Sequence, residues 1–171
     1  MDFNELDFKN IPFYPKPEAQ QRQLLSMLQN IFLTQNLSTK DLDKVVGAMK
    51  PRFFQQGEQI IRFGDQGDEY FVLAEGQVKV LVYEDGVAPD DPEIGQKVKF
   101  SKTMGKGHGF GEIALLHNSG RTATIKAESE KVETFVLDGK TFKTIVVGAS
   151  IERRTVQNEF LNQITIFGKW S

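Results

Sequence analysis

Short runs of alternating residues, separated by glycines, fill the middle of this chain and limit it to a β-rich fold. Most of the 15 glycines lie in the middle third. The runs between them cover residues 60–63, 70–74 and 77–83. In the third run, Val78, Val80 and Val82 occupy every second position, as in a strand with one buried face. The pattern predicts a turn-rich β domain.

Residues with helical periodicity precede these runs. Apolar side chains at helical spacing predict a first helix over 18–32, with Pro17 at its start. Ser38 followed by Asp41 resembles a capping box and predicts a second helix, which Pro51 ends.

A long polar excursion at 84–107 interrupts the strands and contains one predicted strand at 97–100. A loop of this length is either a contact site or disordered, and we expect disorder at its Asp90-Asp91-Pro92 tip.

The C-terminal part returns to helices. A strand predicted at 131–137 is followed by a helix that Asp138 caps and by a last helix that Ser150 caps. The predicted order is therefore helices, then β hairpins, then helices.

Composition excludes several classes of function. The 171 residues suffice for one well-cored domain with a helical appendage. The balance of 21 basic and 23 acidic residues argues against a dedicated nucleic-acid or anionic-membrane surface. There is no cysteine, so disulfides and thiolate metal sites are excluded. The N-terminus lacks the basic start and apolar run of a signal peptide, so we expect a soluble, cytoplasmic protein.

Residues 110–127 contain the candidate site. Gly111 precedes a short predicted helix that begins at Glu112, and a helix start leaves backbone N–H groups free to bind an anion. Arg121 supplies a planar fork of donors suited to two phosphate oxygens, and Glu112 supplies acceptors suited to a sugar hydroxyl. The stretch predicts a phosphate cradle.

This stretch resembles the phosphate-binding cassette of cyclic nucleotide-binding domains, of the kind found in regulatory subunits of cAMP-dependent protein kinase and in cGMP-dependent protein kinase. The family pattern runs Phe-Gly-Glu, an aliphatic residue, Ala-Leu, a variable stretch, then Arg, a small residue, Ala, and Thr or Ser. Every fixed position of the pattern is filled between Phe110 and Thr124. Upstream glycine turns also match, so the resemblance covers the chain from about Ile11 to Phe167.

The resemblance implies an α+β fold: an antiparallel β-roll, which is a jelly-roll-like sandwich, with N-terminal and C-terminal helices packed to one side. It also implies a division of the chain into four segments. These are an extended arm at 1–17, a helical segment at 18–52, the β-roll at 53–137 with the cassette at 110–127, and C-terminal lid helices at 138–171.

The resemblance further implies a role for each site residue. Arg121 would bind the ring phosphate, Glu112 the ribose 2′-hydroxyl, and Asp68 would pair with Arg121 and relay its movement. The implied ligand-binding residues are Val80, Phe110, Gly111, Glu112, Ile113, Ala114, Arg121, Thr122 and Ala123.

Each of these assignments has a plainer alternative. Arg121 would otherwise be a surface arginine paired with a carboxylate, and Glu112 would only stabilise the start of its own helix. Asp68, which follows Gly67, suits an ordinary turn, and Val80 would belong to the core.

Thr122 bears on which nucleotide is bound. Regulatory subunits of the cAMP kinase usually carry Ala at this position, whereas cGMP-selective sites commonly carry Thr or Ser, whose hydroxyl bonds the guanine amino group. Thr is also favoured in strands for its shape. The Tyr14-Pro15-Lys16 segment instead resembles the cAMP-kinase subunits, so the expected ligand is cAMP or cGMP.

No cofactor beyond this ligand and no metal are expected. His108 and His117 have no third ligand at metal-site spacing, which argues against a cupin-type metalloenzyme. We expect both histidines in loops or at helix ends. Trp170 either stacks on the base or lies outside the working part of the domain.

The implied function is that of a regulatory domain without chemistry of its own. It would control a cyclic-nucleotide-dependent protein kinase through a ligand-induced rearrangement of its helices, with either a kinase catalytic subunit or a kinase domain in the same chain as partner. No nucleic-acid or membrane partner is expected. The alternatives are the sensory domain of a channel or transcription regulator, or a scaffold that no longer binds nucleotide. Because the sequence contains no kinase domain, we expect it to be a piece of a larger protein.

Overall fold

Two four-stranded sheets form the centre of the molecule. The computed structural model describes residues 10–31, 34–112 and 120–149. The helices are α1 (Glu18–Gln29), α2 (Thr39–Ala48) and α3 (residues 139–149). The strands are β1 (Lys50–Gln55), β2 (Gln59–Ile61), β3 (Glu69–Glu75), β4 (Val78–Tyr83), β5 (Val98–Met104), β6 (Gly109–Phe110), β7 (Thr124–Ala127) and β8 (Lys131–Asp138).

The described strand pairings are all antiparallel. The first sheet has the order β1-β8-β3-β6 and the second the order β2-β7-β4-β5. Strands that follow one another in the chain therefore often belong to different sheets, as in a sandwich built from long-range pairings. The prediction of an antiparallel β-roll flanked by helices is confirmed.

Strand β3 shows how the layers pack. Its side chains alternate, with Tyr70 and Val72 packed in the helix-facing core and Phe71 and Leu73 in the core between the sheets. All four are 1% exposed or less. A strand that is covered on both faces has a continuous apolar sequence, which explains the unbroken run at 70–74.

The N-terminal helices begin where the sequence predicts. Pro17 is the N-cap of α1, and Ser38 is the N-cap of α2. Helix α1 ends at Gln29 rather than extending to residue 32. Strand β1 begins at Lys50 rather than at residue 53 and contains Pro51, which is tolerated because β1 lies at the edge of its sheet.

The excursion at 84–107 is folded, so the expectation of disorder at its tip is wrong. Strand β5 extends to Met104 and pairs with β4 as the far arm of an enlarged hairpin. At the tip, Asp91 accepts a hydrogen bond from Lys97 Nζ at 2.6 Å and another from Glu93 N at 2.8 Å. These bonds give the polar segment a defined shape without a hydrophobic core.

Helix α3 follows β8 directly. Asp138 caps it by accepting a hydrogen bond from Thr141 N at 2.8 Å, as predicted. The predicted last helix, which begins at Ser150, lies outside the described residues. In the described ranges, no helix combines the length and the apolar character that a membrane span requires.

We expect Ser38→Ala to lower the free energy of unfolding by about 1 kcal/mol, because Ser38 Oγ accepts the N–H of Asp41 at 3.2 Å at the start of α2. Urea denaturation measures this loss. Ser26→Ala, at an exposed position within α1, is the matched control and should cause no loss, because alanine is the better helix former. Equal effects of the two substitutions would contradict the capping role.

Candidate functional site

A cavity of about 410 Å³ opens beside the inner face of the second sheet, at the end of β6. The predicted site residues that line it are Val80, Phe110, Gly111, Glu112, Arg121, Thr122 and Ala123. Of the other predicted residues, Ile113 and Ala114 lie outside the described residues, and Asp68 is not part of the cavity wall. The cavity thus brings together residues from β4 and from both described ends of the cassette.

The guanidinium of Arg121 is buried although it is a cation. The residue is 8% exposed. Its Nη2 donates to the backbone carbonyl of Glu69 at 2.8 Å, and its Nη1 donates to that of Gly111 at 3.2 Å. The ends of β3 and β6 therefore hold the side chain through main-chain acceptors.

No carboxylate within residues 10–31, 34–112 and 120–149 forms a salt bridge with Arg121. Burial lowers the pKa of Arg121, and the charges of Glu69 and Asp68 offset this in part. An arginine stays protonated in a protein, so the site contains a desolvated positive charge that none of the described carboxylates pairs with. An anion that enters the cavity would compensate this desolvation.

Two glycines make room for the guanidinium. A Cβ built on Gly67 would lie 2.7 Å from Arg121 Nε and 2.8 Å from Nη2. A Cβ on Gly111, whose φ is +93°, would lie 2.7 Å from the carbonyl oxygen of Glu69 and 3.0 Å from Arg121 Nη1. Gly111 therefore requires glycine, and a side chain at Gly67 would displace the guanidinium from its observed position. Sequence reasoning named Gly111 but missed Gly67, whose only signal was its place in the turn before Asp68.

The backbone of Arg121 is held as firmly as its side chain. Arg121 N donates to Asp65 O at 2.8 Å, and Gly64 N donates to Arg121 O at 2.8 Å. The loop at 62–68 thus determines where the arginine leaves the chain.

Asp68 does not make the predicted pair with Arg121 in this structure. Its side chain is exposed. Its negative charge attracts the guanidinium and so offsets part of the lowering of the Arg121 pKa that burial causes. The guanidinium bonds to the carbonyls of Glu69 and Gly111 instead. The side chain of Glu69 is turned outward, where both its oxygens bond to Arg52 at 3.0 and 2.8 Å.

Glu112 lies at the wall of the same cavity and is half-buried. Burial raises the pKa of Tyr70, and the negative charge of Glu112 raises it further, so the carboxylate and the phenol are neighbours. The Tyr70 hydroxyl is also in contact with Gly109, because a Cβ there would lie 2.0 Å from it. The Tyr70 ring packs on Phe142 of α3, with 6.3 Å between ring centroids.

An apolar wall faces the arginine. Val80 is 7% exposed and packs with Ile125 and Ala123, while Thr122 is exposed at the cavity. Sequence reasoning missed the part of the wall that β5 contributes, namely Phe100, Lys102 and Met104. The register pairs Val80 with Lys102 and Val82 with Phe100, which puts these side chains on one face of the sheet. In the sequence, Phe100, Lys102 and Met104 occupy every second position, as on one face of a strand. The sequence did not show that strand β5 continues as far as Met104.

The described histidine at the cavity forms no metal site. His108 lies in a loop, with its Nδ1 at 3.0 Å from Gly105 O. The described residues contain no group of three or more His, Cys, Asp or Glu side chains placed to hold a metal. His117 and Trp170 lie outside the described residues.

Known proteins are similar to this chain in sequence and in fold. The family model of the cyclic nucleotide-binding domain matches residues 51–147. The chain is 30% identical over 151 residues to the type II regulatory subunit of cAMP-dependent protein kinase from Drosophila melanogaster, covering 88% of this chain and 36% of that subunit. It is 34% identical over 129 residues to human cGMP-dependent protein kinase 2, covering 75% of this chain and 16% of the kinase.

A solved structure agrees with the sequence relatives. The regulatory domain of Toxoplasma gondii PKA in complex with cAMP superposes with a TM-score of 0.67 at 32% identity, covering 92% of this chain and 56% of the other. The chain spans less than half the length of the two kinase relatives. The family match over residues 51–147, together with these similarities, shows that the chain belongs to the cyclic nucleotide-binding domain family.

Proposed function

We propose that the cavity binds cAMP or cGMP and that the domain regulates a protein kinase without catalysing a reaction itself. The observation that carries this proposal is the buried guanidinium of Arg121, which borders the cavity and has no ionic partner among the described residues. A ring phosphate has one negative charge and two free oxygens, which match the two outer nitrogens of an arginine. The alternative of a surface arginine paired with a carboxylate does not fit this burial.

Different residues of the cavity lining would bind the phosphate, the ribose and the base of the nucleotide. Arg121 and the backbone beyond Gly111 would hold the phosphate, and Glu112 would accept the ribose 2′-hydroxyl. Val80 and Ala123 would cover one face of the base. The volume of about 410 Å³ lies within the range of roughly 300–1,000 Å³ usual for small-molecule sites.

The proposed regulation requires that ligand binding favours one arrangement of the helices. Tyr70 is in contact with Gly109 in the cavity wall and with Phe142 on α3, so a change at Glu112 reaches this helix through a single buried side chain. A coupling of about 1–3 kcal/mol is typical of such domains. The partner would be a kinase catalytic subunit or a kinase domain in the same chain, and residues 138–171 would act as the lid.

Two residues favour cGMP over cAMP within this proposal. The Thr122 hydroxyl is exposed at the cavity and can accept a hydrogen bond from the guanine amino group. Lys102 lines the same cavity. Guanine presents two adjacent acceptors, O6 and N7, whereas adenine presents N7 beside an amino donor, so an ammonium group suits guanine better.

Arg121→Lys is expected to weaken cyclic nucleotide binding by about 10- to 100-fold, because a point charge cannot replace a bidentate fork. Isothermal titration calorimetry measures the affinity. Arg22→Lys, at an exposed arginine of α1, is the control and should bind as the wild type does. Wild-type affinity of Arg121→Lys would refute the assignment of the phosphate ligand.

Gly67→Ala is expected to weaken binding by about tenfold or more, because the new methyl group would overlap the Arg121 guanidinium and displace it. Gly105→Ala is a matched control, since a Cβ there has no neighbour within 4 Å, its φ is not in the left-handed region, and the residue is not part of the cavity lining. Both variants are compared by calorimetry and by thermal melting. A loss of stability without a loss of affinity would show that Gly67 serves only the fold.

Thr122→Ala is expected to reduce the affinity for cGMP by about three- to tenfold and to leave the affinity for cAMP nearly unchanged. The reason is that guanine has an amino group on C2, which the Thr122 hydroxyl would bind, and adenine has none there. Competition binding with both nucleotides measures the ratio. Thr103→Ala, an exposed threonine of β5 outside the cavity lining, is the control. A parallel change for both nucleotides would contradict a role in base selection.

A further inference from the structure

Residues 84–97, the part of the excursion that precedes β5, pack against the loop that holds Arg121. Loop residues 62–68 contact both segments: Gly64 and Asp65 bond to the backbone of Arg121, and Pro89 lies beside Gly64. None of the excursion residues 84–97 lines the cavity. Apart from β4 and β5, the strands that it joins, the excursion therefore reaches the site through this loop.

The contact between excursion and loop is centred on Pro89 and Gly64. A Cβ on Gly64 would lie 2.2 Å from Pro89 Cγ and 2.7 Å from Pro89 Cβ. Gly64 also has a φ of +87°, a left-handed conformation that glycine adopts without strain. The proline ring therefore rests directly on the backbone of the loop, where no side chain fits between them.

The same short segment of loop determines the position of Arg121. Gly64 N donates to Arg121 O, and Asp65 O accepts from Arg121 N, both at 2.8 Å. On the neighbouring residue, a Cβ at Gly120 would lie 3.1 Å from Gly64 O, so the chain before the arginine is also close-packed on this segment. A shift of Gly64 moves Arg121 with it.

Hydrogen bonds and one ion pair define the shape of the excursion around Pro89. The Asp91–Lys97 ion pair at 2.6 Å closes the tip, and Asp91 N donates to Ala88 O at 3.1 Å beside the proline. At the base, Glu84 N donates to Lys97 O at 2.8 Å. A cavity of about 250 Å³ separates part of the tip from the sheet, with Arg62, Tyr83 and Asp90 in its wall. Pro89 lies in the wall of the same cavity and also packs on Gly64.

We propose that the excursion at 84–97 positions the phosphate ligand of the site, with Pro89 pressing Gly64 onto the backbone of Arg121. Pro89 is thus a positioning residue, which acts on the nucleotide only through Arg121. The inference rests on the proposed function, in which Arg121 binds the phosphate.

The test compares Pro89→Ala with Pro92→Ala, which removes the other proline of the excursion but none of the atoms near Gly64. Calorimetry with cAMP and cGMP measures affinity, and thermal melting measures stability. We expect Pro89→Ala to weaken both nucleotides about three- to tenfold, as is usual for mutations that act at a distance through packing, while Pro92→Ala stays within about twofold. Lys97→Gln, which opens the Asp91–Lys97 pair, should have an effect in the same direction.

A double-mutant cycle separates positioning from general packing. In an Arg121→Lys background, Pro89→Ala should have little further effect on affinity, because the group it positions is already absent. Unchanged affinity of Pro89→Ala, or an equal loss in both backgrounds, would overturn the inference.

A spectroscopic readout without ligand makes the two proposals distinguishable. In ¹⁵N NMR spectra of the ligand-free domain, Pro89→Ala should shift the backbone amide and Nε signals of Arg121, and Pro92→Ala should not. If the wild type bound neither nucleotide, the proposed function would fail, while the NMR comparison would still test the contact. Unshifted Arg121 signals in Pro89→Ala would overturn the positioning role whatever the ligand.

Discussion

The burial of one guanidinium on main-chain acceptors is the constraint around which the rest of the structure is arranged. Arg121 donates to the carbonyls of Glu69 and Gly111, which belong to segments far apart in the chain. Carbonyl oxygens accept from two of its five N–H donors without neutralising its charge, so the cation keeps an electrostatic requirement for an anion. Small residues are needed wherever the guanidinium approaches the backbone, and Gly67 and Gly111 occupy those places.

The two sheets contribute different parts of this site. The first sheet brings Glu69 and Gly111 together, because β3 and β6 are neighbours in it. The second sheet supplies the apolar wall from β4 and β5, with Val80 and Lys102 in register. The helices pack on the other face of the first sheet, where Tyr70 lies between the site and Phe142. Tyr70 thus connects the cavity wall to α3 through one buried side chain.

The predicted helix caps and the antiparallel β-roll agree with the structure, whereas the expected disorder of the excursion tip and the pairing of Asp68 with Arg121 do not. The caps at Ser38 and Asp138 follow from hydrogen bonds within a few residues, and both are present. The expected disorder of the excursion was wrong because its order comes from Asp91 contacts and from Pro89 packing on a loop about 25 positions earlier in the chain. The pairing of Asp68 with Arg121 is absent here because backbone carbonyls occupy the guanidinium.

The sequence by itself determined the family, the β-rich core between helices and the residues at the two ends of the cassette, because glycine turns, alternation and capping are encoded over short distances. Only the tertiary structure decided which strand forms the far wall of the cavity and what holds the arginine. Strand register places Phe100 and Lys102 beside Val80. The contact of Gly64 and Asp65 with Arg121 exists only in the tertiary structure, because it joins residues more than 50 positions apart in the chain.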